Sequence, residues 1–158
     1  LEEDKLDAAG KIIQYAKDKT VELYLPIDNV IAKEISNDAE IKECGVDEIE
    51  EDWKGLDIGQ KTVERFSEVI KNSSTILWNG PMGVFEKEKF ANGTKQIALA
   101  IASATEKGAY SLIGGGDSVA AVKKFGLEDK ASFISTGGGA MLEYIEGKKL
   151  PGIKAIKK

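Results

Sequence analysis

The stretch AYSLIGGGDSVAAVKKFG, residues 109–126, decides the fold. A short apolar run passes into three glycines, and the residues after Asp117 place apolar side chains at helical spacing until Gly126. A strand that leads through a glycine turn straight into a helix is the repeating unit of parallel α/β sheets. The stretch therefore predicts a strand, a turn and a helix, with Asp117 at the start of the helix.

The same order of strand, loop and helix recurs along the chain. STILW predicts a strand and ASFISTGGG predicts another, which also runs into three glycines. Helical spacing predicts three further helices, at residues 59–72, 94–108 and from 140 into the tail. The repetition predicts an α/β fold, a Rossmann-like three-layer parallel sheet with helices on both faces.

The first third of the chain is less regular. Apolar residues recur at roughly helical spacing in residues 1–18, VELYLP (21–26) predicts a buried strand, and DNVIAKEI (28–35) predicts an extended excursion or a second strand. Residues 40–52 are acidic with few large apolar groups. We expect this acidic stretch to be a surface insertion.

Composition limits the possible partners. With 158 residues and 42% hydrophobic content, the chain can bury a core of one domain or a large part of one. No apolar stretch approaches the roughly 20 residues of a membrane-spanning helix, and no basic-then-apolar leader opens the chain, so we expect no membrane partner. A formal charge of -5 argues against duplex nucleic acid.

Composition also limits the chemistry. The single cysteine, Cys44, cannot form an internal disulfide, which agrees with a reducing cytoplasm. The absence of histidine excludes a Ser/His/Asp triad, a Cys/His pair and a histidine-rich metal site within this chain. The chemistry must rest on carboxylates, lysines, hydroxyls and backbone amides.

GGGDS, residues 114–118, predicts a phosphate site. In parallel sheets ligands bind at the carboxyl ends of the strands, and a glycine turn before a helix start offers free amides and a positive dipole end. Asp117 has two interpretations: it caps the helix, as aspartate often does, or it holds a Mg²⁺ ion that bridges phosphate oxygens. In the second interpretation Ser118 assists with its hydroxyl.

STGGGA, residues 135–140, repeats the design one strand later. Two helix starts aimed at one point would surround a phosphoryl group with amide donors, which stabilises the charge that develops during transfer. A single triplet is explained by a tight turn, whereas two triplets in the same context favour a site. Neither matches GxxxxGK[ST] or GxGxxG, so the pattern argues against a Walker-type NTPase and a dinucleotide dehydrogenase.

WNGPMGVFE, residues 78–86, follows the STILW strand. Val84 and Phe85 offer an apolar face, and the carboxylate of Glu86 could accept hydrogen bonds from a pair of sugar hydroxyls, so a nucleoside pocket is one interpretation. The alternative is a packed loop with Phe85 in the core and Glu86 in solvent. The residues alone leave both open.

Five blocks, in their relative order, resemble the C-terminal, nucleotide-binding half of phosphoglycerate kinase: GLDIG, LWNGPMGVFE, IGGGDS, STGGGA and LEYIEGKKLPG. LEEDKLDAA and LPIDNVIA are similar to the family as well, so the resemblance runs from residue 1 to the tail. It implies reversible phosphoryl transfer from 1,3-bisphosphoglycerate to ADP, giving ATP and 3-phosphoglycerate in glycolysis. The family enzyme is a cytoplasmic monomer whose two lobes close by a hinge.

By this resemblance, residues 1–158 form one incomplete C-terminal domain, and residues 147–158 form its tail. The N-terminal lobe that binds phosphoglycerate or bisphosphoglycerate is absent, so the chain alone is expected to be inactive. The ligands on this side are an adenine nucleotide, as substrate, and Mg²⁺.

The resemblance also implies a role for each matching residue. An adenine slot would be lined by Leu56, Pro81 and Val84, and Glu86 would hold the ribose hydroxyls. Around the phosphates the implied roles are Asn79 beside them, Gly115 and Gly116 bordering them, Asp117 binding Mg²⁺, Ser118 assisting, and Gly137, Gly138 and Gly139 stabilising the transferring group.

The sequence departs from the family pattern at two positions, and two alternative functions stay open. Gln60 stands where many members have proline, and Ser118 where many have threonine. A non-catalytic adenine-nucleotide-binding module would keep the pocket and show no turnover even with the missing lobe supplied. A purely structural piece would bind no nucleotide.

Overall fold

The computed structural model describes residues 2–156 and contains two three-stranded sheets and six α-helices in that range. The strands are β1 Asp28–Ala32, β2 Lys42–Gly45, β3 Lys54–Ile58, β4 Thr75–Asn79, β5 Tyr110–Gly114 and β6 Phe133–Ser135. The helices are α1 Leu6–Asp18, α2 Gln60–Lys71, α3 Asn92–Glu106, α4 Gly116–Lys124, α5 Gly138–Ile145 and α6 Pro151–Ile156. None of the helices in this range is long and apolar enough to cross a membrane.

A parallel sheet forms the second half of the molecule, with strand order β4-β5-β6. Strand β4 leads through α3 to β5, and β5 leads through α4 to β6, since parallel neighbours need a crossover connection. The buried core between this sheet and α2, α3 and α4 includes Trp78, Ile101, Ile113 and Val122. The predicted α/β class, a parallel sheet flanked by helices, is confirmed.

The first half differs from the sequence prediction. Residues 28–58 form an antiparallel sheet of order β2-β1-β3, and the acidic stretch 40–52 contributes its edge strand β2. That stretch is mainly exposed, as expected of a surface segment. Only β1 was predicted here, because β2 and β3 have too few apolar residues to produce a strand pattern.

The prediction of a buried strand in VELYLP is wrong. Residues 21–26 form no strand, and Val21, Leu23 and Leu25 are all exposed. An extended apolar segment becomes a buried strand only when neighbouring strands and helices cover it, and no strand of residues 2–156 pairs with this one.

Helix α1 has the predicted amphipathic character but buries none of its residues. Leu6, Ile12 and Tyr15 each expose more than half of their accessible surface. The apolar side of α1 and the apolar side chains of residues 21–25 are therefore open to solvent together.

Asp28, at the start of β1, fastens the first turn of α2. Its carboxylate accepts hydrogen bonds from the amides of Lys61 and Thr62, both at 2.9 Å, and from the Thr62 hydroxyl. Gly59, the residue before the helix, has no side chain with which to cap it. Asp28 therefore supplies from another strand the acceptor that helix amides need.

We expect Asp28→Asn to lower the free energy of unfolding by about 1–3 kcal/mol at neutral pH, because it weakens these bonds. Burial raises the pKa of Asp28, but the hydrogen bonds from the Thr62 hydroxyl and from the Thr62 and Lys61 amides have the larger opposite effect. The net pKa therefore lies below its ordinary value of 3.8. A depressed folded pKa gives stability that is present above the unfolded pKa and is lost as the pH falls through the folded one. The deficit of the variant should therefore shrink below about pH 4.

Urea unfolding of a full-length protein that contains this chain measures the effect across this pH range. Asp38→Asn, at an exposed turn, is the matched control and should follow the wild type. A deficit for Asp28→Asn that stays constant with pH would contradict the expectation.

Candidate functional site

The carboxyl ends of the three parallel strands lie in one row. In the sheet register Asn79 is beside Gly114, and Gly114 is beside Ser135. Both glycine turns therefore leave the sheet at the same edge, and α4 and α5 begin directly after them. This confirms the predicted order, in which each triplet follows a strand and precedes a helix.

The two glycine turns touch each other. A Cβ atom on Gly138 would lie 2.5 Å from the amide nitrogen of Gly115 and 2.7 Å from its Cα. Gly115 has φ +89°, and a Cβ atom there would collide with Oδ1 of Asn79. Only glycine allows this approach, so Asn79, Gly115 and Gly138 form one contact at the edge of the sheet.

The other glycines of the two turns face open space. A Cβ atom on Gly116, Gly137 or Gly139 would meet no atom within 4 Å, and all three residues are exposed. The first amides of α4 and α5 therefore border a region that is free of protein, and the positive ends of the two helix dipoles lie beside it.

Asp117 is the second residue of α4, and its side chain is exposed. The interpretation of Asp117 as the helix cap is wrong: Gly115 occupies the cap position, and no side chain caps this helix. Within residues 2–156 the Asp117 carboxylate forms no hydrogen bond or ion pair at standard distances. The carboxylate is thus available to a ligand at the edge of the glycine turns.

The exposed carboxylate of Asp117 would suit a divalent cation that is also held by phosphate oxygens. No group of three or more carboxylate or thiol side chains converges as a metal cluster in the described part of the chain. Mg²⁺ favours one or two carboxylates together with phosphate oxygens and waters, so the single carboxylate of Asp117 suits it.

Ser118 is completely buried, and its hydroxyl accepts a hydrogen bond of 2.6 Å from the amide of Gly80. It therefore ties the start of α4 to the loop that follows β4. Its assistance at the phosphates stays a prediction: the hydroxyl oxygen accepts from Gly80, and its own hydrogen remains available to donate.

A separate cavity of about 330 Å³ lies between β3 and the loop of residues 80–84, and we call it the slot. Leu56, Pro81 and Val84 all line it, so the structure brings together the three residues assigned to adenine. The amide of Val84 donates to the carbonyl of Leu56 at 2.9 Å and closes one wall.

Glu86 lies outside the residues that line the slot, and its side chain is exposed. Phe85 is buried, so both side chains lie where the packed-loop alternative puts them. Lys124, the last residue of α4, donates to the carbonyl oxygens of Phe85 at 2.7 Å and Glu86 at 3.2 Å. Helix α4 thus begins at the glycine turns and ends at the loop that carries Glu86.

Asp57, next to Leu56, is a buried carboxylate in the wall of the slot. Burial raises its pKa from 3.8 to about 6, although hydrogen bonds from the amides of Gly93 and Ile58 lower it in part. Desolvation of the charged form therefore outweighs the two amide bonds.

A family model described as phosphoglycerate kinase matches residues 1–148. The chain belongs to the phosphoglycerate kinase family. The phosphoglycerate kinase of Thermosipho africanus is 57% identical over 157 residues, and that of Porphyromonas gingivalis is 55% identical; each match covers 99% of this chain.

Solved phosphoglycerate kinases share the fold. The structure from Coxiella burnetii has a TM-score of 0.91 at 44% identity, and that from Pyrococcus horikoshii has 0.73 at 33% identity; each match covers 97% of this chain. The chain spans only 39% of the Thermosipho enzyme and 39% of the Coxiella structure. It is similar to part of a phosphoglycerate kinase.

Sequence reasoning missed two residues that shape the candidate site. Asp57 carried a signal, since a lone carboxylate between apolar residues in GLDIG must find partners if the strand is buried. Lys124 carried none, because one of two adjacent lysines at a helix end is usually a solvated residue.

Proposed function

We propose that this chain is the nucleotide-binding part of an enzyme that transfers a phosphoryl group reversibly between 1,3-bisphosphoglycerate and ADP. The acid substrate would bind to the part of the enzyme outside this chain. Residues 1–158 form an incomplete C-terminal domain with a tail at 147–158, and we infer a cytoplasmic monomer from the family's glycolytic reaction.

The contact between Gly115 and Gly138 is the observation that carries the proposal. It places the starts of α4 and α5 side by side at the edge where three parallel strands end. Amide donors at the starts of the two helices would then lie near one phosphoryl group, and donors held in fixed positions stabilise negative charge without reorganising during the transfer. We assign the stabilisation of the transferring group to the backbone of Gly137, Gly138 and Gly139.

The nucleotide would extend from the slot to the glycine turns. Its base would occupy the slot at Leu56, Pro81 and Val84, and its phosphates would lie near Asn79, Gly115 and Gly116. Asp117 would hold a Mg²⁺ ion, which supplies positive charge at the phosphate oxygens. The side chains need only to position and to neutralise, since phosphoryl transfer of this kind requires no covalent intermediate with the protein.

A coupled assay tests the proposal on a full-length protein that contains this chain. We expect formation of ADP from ATP only when both 3-phosphoglycerate and Mg²⁺ are present. ADP binding without turnover would favour a non-catalytic nucleotide-binding module, and no binding at all would leave a structural role.

We expect Glu86→Gln to weaken ADP binding about tenfold, because a neutral amide is a weaker acceptor for ribose hydroxyls than a carboxylate. The fold should stay intact, since the Glu86 side chain is exposed and only its backbone carbonyl binds Lys124. Calorimetry on the full-length protein measures the dissociation constant. Glu88→Gln, two residues further along the same segment, is the control; equal affinities in both variants would remove Glu86 from the ribose site.

A further inference from the structure

The Asp57 carboxylate, in the wall of the slot, binds two backbone amides, and we call this arrangement the clamp. The residue is only 4% exposed, and each carboxylate oxygen has its own donor. Oδ1 accepts from the amide of Ile58 at 2.9 Å, and Oδ2 accepts from the amide of Gly93, near the start of α3, at 2.7 Å. The carboxylate therefore joins β3 to α3.

The clamp continues from α3 to the slot loop. Thr94, next to Gly93, is completely buried, and its hydroxyl oxygen accepts from the amides of Met82 at 3.1 Å and Gly83 at 3.3 Å. The same loop returns to β3 where the amide of Val84 binds the carbonyl of Leu56. The two walls between which a base would lie are therefore joined twice, by the Val84–Leu56 bond and through the Asp57 carboxylate.

The Asp57 carboxylate is closely packed against two glycine residues. A Cβ atom on Gly83 or on Gly93 would collide with Oδ1 of Asp57. The Gly83 atom would also lie 2.6 Å from the carbonyl oxygen of Leu56, and the Gly93 atom 2.5 Å from Cγ1 of Ile58. The backbone of Gly83 and that of Gly93 are therefore packed closely against the Asp57 carboxylate, so neither can move towards it.

We propose that Asp57 is a positioning residue for the nucleotide slot, and that only its ionised form sets the walls at the spacing that accepts a base. The proposal rests on the proposed function. A protonated carboxyl group has lost its charge and carries a hydrogen on one oxygen, so the backbone N–H that faces that oxygen has a weaker acceptor. Weakening of the bond from Gly93 would loosen the start of α3 and, through Thr94, the slot loop.

The surroundings place this change at mildly acidic pH. Burial raises the pKa of Asp57 to about 6, and no charged side chain contributes to the shift. The charged residues on the packed elements are engaged or directed elsewhere: Asp28 on β1 binds the first turn of α2, and Lys95 on α3 and Glu86 in the loop are exposed. Asp57 is therefore the group whose ionisation controls the clamp.

Adenosine is the probe that tests this proposal, because it carries no phosphate whose titration or metal binding would mix with that of Asp57. With a pKa near 6, we expect adenosine to bind the full-length protein about tenfold more weakly at about pH 5 than at about pH 7.5. Asp57→Asn should bind weakly at both pH values, since an amide NH₂ group faces one of the two backbone donors. Asp129→Asn, in an exposed turn, should keep the wild-type profile.

A second measurement uses only wild-type protein, so it tests the proposal even if Asp57→Asn fails to fold. In wild-type protein with isotope-labelled aspartate, adenosine should lower the titration midpoint of the Asp57 carboxyl group, because a ligand that prefers the ionised form stabilises it. An unchanged midpoint, a flat wild-type binding profile, or a pH dependence retained in Asp57→Asn would each overturn the proposal. Failure of adenosine and ADP to bind at any pH would instead remove the proposed function, and this inference with it.

Discussion

Asp117→Ala is expected to lower the turnover of ATP with 3-phosphoglycerate about a hundred- to a thousand-fold in a full-length enzyme that contains this chain. The reason is the environment of the carboxylate: it is exposed at the start of α4, beside the meeting point of two helix starts, and no side chain caps that helix. Removing it costs the protein no internal bond, so the loss should fall on the nucleotide complex. A coupled assay measures turnover, and unfolding in urea should give a free energy within about 1 kcal/mol of the wild type, the size of the lost interaction with the helix dipole.

Asp117→Asn separates charge from shape. Asparagine keeps the size of the side chain and its carbonyl acceptor but removes the negative charge that a Mg²⁺ ion needs. We expect most of the loss to remain in this variant, with a higher Mg²⁺ requirement for the residual rate. Asp129→Asn is the matched control at an exposed position away from the turns; an undiminished rate in Asp117→Ala would exclude Asp117 from the mechanism.

Gly138→Ala is expected to have the second largest effect, with an overpacking cost of about 1–3 kcal/mol in stability and a strong loss of turnover. The added methyl group would lie 2.5 Å from the amide nitrogen of Gly115, so the two glycine turns must separate to admit it. Once separated, the helix starts no longer present their amides to one phosphoryl group. Urea unfolding and the coupled assay measure the two losses in the same variant.

Two other glycines test whether space is the cause. Gly139→Ala adds the same methyl group to the next residue, where nothing lies within 4 Å, and its stability should be unchanged or slightly raised. Gly10→Ala, in open space in the interior of α1, should raise stability by up to about 1 kcal/mol, because alanine favours the helix, and should leave turnover near that of the wild type. A Gly138→Ala variant that is as stable as Gly139→Ala would contradict the close contact.

The parallel half of the fold could be predicted from the sequence because each strand there is followed by a recognisable glycine-bearing turn. In residues 109–126 an apolar run, a glycine turn and a helical repeat are adjacent, so local pattern and final structure agree. VELYLP shows the opposite case. Its pattern was that of a buried strand, but burial requires partners, which a local pattern does not report.

The sequence allowed the residues of the candidate site to be predicted, but not the contacts between them. The glycine triplets and the apolar residues of the slot could be picked out along the chain, and their shared edge followed from the parallel order of the strands. The touch between Gly115 and Gly138, the burial of Ser118 and the clamp at Asp57 could not, because each depends on distances between segments that are far apart in sequence.

The open apolar side of α1 and of residues 21–25 bears on how this chain behaves during preparation. A polypeptide limited to these residues would present Leu6, Ile12 and Tyr15 to water, and such surface tends to bring molecules together as the concentration rises. Self-association, visible as early elution from a sizing column, would then mask ligand binding. Detergent-sensitive oligomers of the isolated polypeptide should be separated from the monomer before any titration is interpreted.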